Sequence, residues 1–159
     1  MVALAPCPCG SQKLQTACCG PYIQGTLPAP TAEALMRSRY TAFCLGNVDY
    51  LVATQHPSQR HRRDSAILSH TIRTTTWQGL TILAIKQGKP RDKRGTVEFV
   101  ARFRNGEGDS QLHERSRFVQ ENGQWFYVDG DILPPVTPKR GEPCWCGSGK
   151  KFKHCHGRG

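Results

Sequence analysis

What the sequence has little of narrows its class before any motif is read. Its longest apolar stretch, residues 80–85, falls far short of the roughly 20 residues a membrane-spanning helix needs. The first residues show neither a basic start nor an apolar run of signal length, so a cytoplasmic protein is expected. Acidic side chains are scarce, 12 against 22 Lys and Arg, and aromatics make up only 8% of the 159 residues. A hydrophobic fraction of 37% with 21% charged residues excludes a disordered polyelectrolyte and allows one ordinary core with small appendages. A phosphate-binding loop is missing, since Gly147-Ser148-Gly149-Lys150 has neither the spacing nor a strand before it. So is the C-x-x-C of a thioredoxin-like enzyme.

Cysteine, by contrast, is plentiful. Eight are present, a surplus in a compartment where disulfides rarely persist. Seven fall in a pattern that occurs twice: Cys7-Pro8-Cys9-Gly10-Ser11 closing with Cys18-Cys19, and Cys144-Trp145-Cys146-Gly147-Ser148 closing with Cys155-His156. A disulfide cannot survive the exchange of Cys19 for His156, whereas a tetrahedral zinc site can, because thiolate and imidazole are both ordinary zinc ligands. The glycine after each C-x-C relaxes the tight turn that brings two thiolates together. Free or redox-active thiols are the competing reading.

Residues 144–157 closely resemble the SEC-C motif, the zinc module at the C-terminus of the SecA translocation ATPase, and residues 7–20 resemble a degenerate copy. The resemblance implies Cys144, Cys146, Cys155 and His156 as one ligand set and Cys7, Cys9, Cys18 and Cys19 as the other, with two structural Zn²⁺ per chain. It also implies a partner surface, since the SecA module meets a chaperone and ribosomes. The copies differ in charge. Lys150, Lys151, Phe152 and Lys153 surround the second site, where the first has Lys13, Leu14, Gln15 and Thr16. Of the formal net charge of +10, half sits in residues 137–159. Seven thiolates and two divalent ions would bring the total to about +7.

Between the repeats the pattern predicts an α+β domain. A linker is expected over residues 21–30, then a helix capped by Thr31, with Glu33 at its positive end and Gly46 as its terminator. Cys44 lies on that helix's apolar stripe and is expected in the core. Shorter helices are expected over residues 47–55 and 62–73. Strands follow over 80–86, 97–104, 112–120 and 124–131, with Asn122-Gly123 as a hairpin signal. Trp77, Trp125 and Tyr127 read as core aromatics. Helices before an antiparallel meander resemble the cone of nuclear-transport-factor-2-like domains. The runs Leu35-Met36-Arg37-Ser38-Arg39-Tyr40, Glu114-Arg115-Ser116-Arg117-Phe118 and Gly123-Gln124-Trp125 resemble the bacterial YchJ family, which carries such a domain between SEC-C motifs. The expected organisation is thus an N-terminal zinc knuckle over 1–20, the linker, the cone over 31–136 and a C-terminal zinc knuckle over 137–159.

Two functions follow. The first is a non-enzymatic adaptor whose basic second knuckle docks a translocation- or ribosome-associated protein, or RNA, through Lys150, Lys151, Phe152 and Lys153. The second is a ligand pocket, or a site of proton transfer, inside the cone. Its candidate residues are Glu114, which shares strand parity with Leu112, Ser116 and Phe118, the donors Tyr40 and His56, and the cations Arg37, Arg39, Arg115 and Arg117. A homodimer through the sheet is a further expectation from the resemblance.

Overall fold

The computed structural model describes residues 4–158, so residues 1–3 of the expected first knuckle and Gly159 of the second lie outside the described residues. The chain opens on a sulfur-rich turn and a short helix, α1 (Gly20–Ile23), then runs through α2 (Ala32–Leu45), α3 (Val48–Ala53) and α4 (Asp64–Thr74). Four antiparallel strands follow in sequence order: β1 (Thr76–Gln87), β2 (Arg94–Asn105), β3 (Gly108–Glu121) and β4 (Gln124–Ile132). No helix among the described residues is long and apolar enough to cross a membrane.

Local chemistry explains the boundaries. The Thr31 side chain accepts the Ala34 N–H at 3.0 Å, and Gly46 closes α2 in the left-handed region with φ 75°. Asn47 caps α3 the same way, accepting from Tyr50 N–H. Asn122 and Gly123 both take positive φ, the two-residue turn that matches strand twist. The strands run longer than expected: β1 begins at Thr76 and β3 at Gly108, so that β2–β3 and β3–β4 join through tight turns while residues 88–93 form a longer β1–β2 loop. Register shifts between Trp77 and Gly79, between Ile82 and Ala84, and opposite Arg117 and Phe118 bend the sheet around the helices.

Alternation sorts the sheet into two faces. Val97, Phe99 and Ala101 of β2, Phe118 of β3 and Trp125 of β4 pack against Ala32, Leu35, Met36 and Tyr40 of α2. Residues 21–30 differ from a bare tether: Ala29 is buried, and Trp125 donates its indole N–H to the Pro30 carbonyl. Cys44 also departs from expectation, being exposed. The last turn of α2 runs out past the packed surface, and neighbouring Leu45 is 54% exposed.

Candidate metal centres

Both sulfur clusters are built by one backbone device, repeated along the chain. In the first, Cys7 N–H donates to the Lys13 carbonyl at 2.8 Å and Gly10 N–H to the Cys7 carbonyl at 3.3 Å. In the second, Cys144 N–H donates to Lys150 at 2.8 Å and Gly147 N–H to Cys144 at 3.3 Å. A single 3-10 turn follows in each, Gln15–Ala17 and Phe152–His154. Gly10 and Gly147 take φ of 80° and 78°, a conformation that side chains resist. Ser11 and Ser148 reach the third cysteine of their set, at 3.1 Å from Cys18 Sγ and 3.5 Å from Cys155 Sγ.

The turns bring Cys7, Cys9, Cys18 and Cys19 together, and likewise Cys144, Cys146, Cys155 and His156, with the donor atoms of each set within 4.8 Å of one another. All eight cysteines are free. The Cys9–Cys18 and Cys18–Cys19 sulfurs lie 3.6 and 3.9 Å apart, and Cys146–Cys155 3.6 Å. A disulfide would need about 2.05 Å. A tetrahedron with bonds of about 2.3 Å has edges of about 3.8 Å, so these spacings suit four donors around one ion. His156 presents Nδ1 at 3.3 Å from both Cys144 and Cys155 Sγ. Both sets can hold a metal ion.

Proton sharing within the clusters shows how crowded the sulfurs are. Hydrogen bonds with Cys19 and then Cys7 hold the Cys9 thiol far below its ordinary value, while hydrogen bonds with Cys7 and then Cys9, together with burial, drive Cys19 far above it. In the second set, burial pushes Cys146 up, but the Ser148 hydroxyl and backbone N–H with the neighbouring thiols outweigh it, leaving Cys146 lowered to about 6. A divalent cation resolves this competition by replacing the protons.

Their surroundings differ. Cys7, Cys9 and Cys19 belong to the hydrophobic core itself. Cys7 Sγ sits 3.5 Å from Thr41 Oγ1, and Arg37 donates to the Cys9 carbonyl at 2.8 Å while pairing with Glu33. The second set is peripheral. Cys144 is buried, Cys146 and Cys155 are half-buried and His156 is exposed, its ring 4.6 Å from Trp145. The guanidinium of Arg102 on β2 fills the space beside both Gly79 of β1 and Gly147, and so ties this module to the sheet. Lys150 and Lys151 are exposed; Lys153 is half-buried. Phe152, expected among the docking residues, is half-buried, its ring packed beneath Gly157.

Of the cone residues, the structure brings Arg39, Tyr40 and Glu114 to one cavity of about 300 Å³ between α2, α4 and the sheet. It does not bring the other four there. Arg37 lies instead against the first cysteine cluster, at the Cys9 carbonyl. His56 lies outside, its ring nitrogens at 2.7 Å from Ser58 Oγ and 3.0 Å from Glu121 Oε1. Arg115 and Arg117 point the other way because they are one residue out of phase with Glu114, pairing with Glu98 and with Asp129 and Asp131. Thr41, Arg102 and Trp77 were not singled out as site residues by sequence. Thr41 lies between the helical positions that carry the apolar stripe, and nothing local marks Arg102 as the seat of a distant turn.

Comparisons agree with this architecture. Residues 31–130 match the YchJ middle NTF2-like domain and residues 140–158 the SEC-C motif. A SEC-C motif containing protein from Rhodopseudomonas palustris, solved in solution, is similar at 37% identity and a TM-score of 0.75, over 82% of this chain and all of that one. A crystal structure of another, from Psychrobacter arcticus, shares 34% identity over 99% of this chain and 97% of its own, with a TM-score of 0.68. A cystatin-like protein from Caulobacter vibrioides shares the fold alone, at 12% identity and a TM-score of 0.51, over 65% of this chain and 87% of its own.

Proposed function

We propose that this chain, which belongs to the YchJ family, is a zinc-carrying cytoplasmic adaptor: an NTF2-like α+β domain with one metal centre built into its core and a second that presents a basic surface to an acidic protein. The observation that carries the reading is the asymmetry of two modules made to one plan. The buried copy has a single cation, Lys13, on its turn. Lys150 and Lys151 stand exposed at the corresponding place of the peripheral copy, and Lys139, Arg140 and Arg158 of the same C-terminal segment are exposed as well.

Zinc suits the donors. Sets of four cysteines, or three cysteines and one histidine, are closed structural sites with no position left for a substrate. Such an ion supplies rigidity, and Cys144, Cys146, Cys155 and His156 then hold the lysines on a fixed platform. The loaded tail carries about +4, enough to attract an acidic surface in a salt-dependent way.

The test is capture from lysate with the intact chain and with Lys150→Glu/Lys151→Glu, which brings the tail to about zero while leaving all four ligands. Proteins lost from the variant, acidic on identification and released by modest salt, support the adaptor. An unchanged set of partners overturns it, and loss of capture after ribonuclease assigns the surface to RNA instead.

A further inference from the structure

The cavity beneath the helices carries a second inference, independent of either metal centre. Its walls are largely apolar, with Met36 and Phe43 from α2, Leu68 from α4, and Trp77, Phe99 and Leu112 from the sheet. At about 300 Å³ it holds the equivalent of about ten waters at roughly 30 Å³ each, the lower end of small-molecule sites.

Two charged side chains interrupt the apolar wall. Arg39 is only 7% exposed. Its Nη1 donates to the Leu51 carbonyl at 2.7 Å and to Thr54 Oγ1 at 2.6 Å, and its guanidinium lies 4.8 Å from the centre of the Tyr127 ring. Its other nitrogens meet no acceptor among the described residues, and no carboxylate pairs with it directly. Glu114 is held by Oε1 alone, which accepts from Ser116 at 2.9 Å and Tyr127 at 3.0 Å. Oε2 has no protein donor among the described residues. Burial lowers Arg39 to about 10, so it remains a cation at neutral pH.

A buried cation with unused donors and a carboxylate with an unused acceptor therefore line one small apolar space. Arg39 is buried and Glu114 half-buried, and the Trp77 indole N–H in the same wall is buried without an acceptor. A molecule that displaces water from this space has to meet these groups itself, because leaving them without partners is costly. Because the two charges cancel, a ligand with a net charge would leave one uncompensated. We propose that this cavity binds a small, net-neutral organic molecule with an apolar body, its carbonyl oxygen accepting from Arg39 and its N–H or O–H donating to Glu114.

The probes are benzamide, benzoate, benzylammonium and toluene, which share one body and differ in the polar head. They are titrated by NMR into the full zinc-loaded chain and into Glu114→Gln. In the wild type, benzamide should shift the Trp77 indole and Leu112 methyl resonances at least tenfold more tightly than benzoate. In Glu114→Gln, which leaves Arg39 uncompensated, the order should reverse, with benzoate gaining at least tenfold. No shift at these groups with any probe, tightest binding by toluene, or an unchanged order in the variant would each overturn the proposal. Shifts confined to the groove between residues 22–29 and 122–126, a larger depression of about 710 Å³, would overturn it as well. If the variant does not fold, the wild-type ranking decides alone.

Discussion

At the scale of single residues, the metal turns depend on backbone freedom as much as on sulfur. Gly10 sits at φ 80°, and a Cβ added there would lie 3.3 Å from the Leu80 carbonyl. Gly147 has nearly the same φ but faces the flexible end of Arg102 instead. An L-residue in the left-handed region costs roughly 1–2 kcal/mol, and Gly10→Ala adds a tight approach to fixed backbone. That substitution should lower the main thermal transition, by about 1–2 kcal/mol at its midpoint, measured by circular dichroism. Gly147→Ala carries the same backbone cost at a peripheral turn and should leave the main transition within about 0.5 kcal/mol. The repeat is imperfect here: Gln12 holds φ 65° where the second copy has Gly149 at 77°.

Elements show which parts of the fold could be read in advance. Short-range chemistry was legible: the Thr31 cap, the Gly46 terminator and the Asn122-Gly123 turn each act within a few residues of themselves. So was the direction of Glu114, because strand parity is local. Long-range facts were not. Cys44 follows the helical stripe, yet the stripe outruns the surface it packs on. Arg115 and Arg117 lie one and three residues after Glu114 and face away from the cavity, where β2 supplies Glu98 to the first and β4 supplies Asp129 and Asp131 to the second. The pairing on that outer face is exposed and so contributes modestly. Hydrogen bonding from Arg117 holds the Asp131 carboxyl below its ordinary range. A carboxylate depressed in the folded state stabilises above its unfolded value of roughly 3.9, and that contribution fades as pH falls through its lower folded value. Thermal melts of wild type and Asp131→Asn should therefore differ at pH 6, converge progressively below about pH 4, and differ less in high salt.

For the whole molecule, the two candidate metal centres stand in different relations to the fold although the geometry of their donor atoms is shared. Both ligand sets could be read from sequence because the donors cluster along the chain. Their unequal burial could not, since it arises where α2 places Thr41 and Arg37 against the first turn. A structural zinc ion contributes about 10–16 kcal/mol to the folding of the peptide around it, as much as the roughly 5–15 kcal/mol that holds a typical domain together. With Cys7, Cys9 and Cys19 inside the core, loss of an ion held by the first cluster would remove support from α2 and the sheet at once. Loss of one held by the second would release a peripheral module tied to the sheet through Arg102. Elemental analysis should find two zinc ions in the wild type and one in His156→Ala, which keeps its main thermal transition while amide protection falls over residues 140–158. Cys9→Ser should instead lose the cooperative transition itself. Melting of the core in His156→Ala, or an unaltered core in Cys9→Ser, would reverse the assignment of which ion the fold depends on.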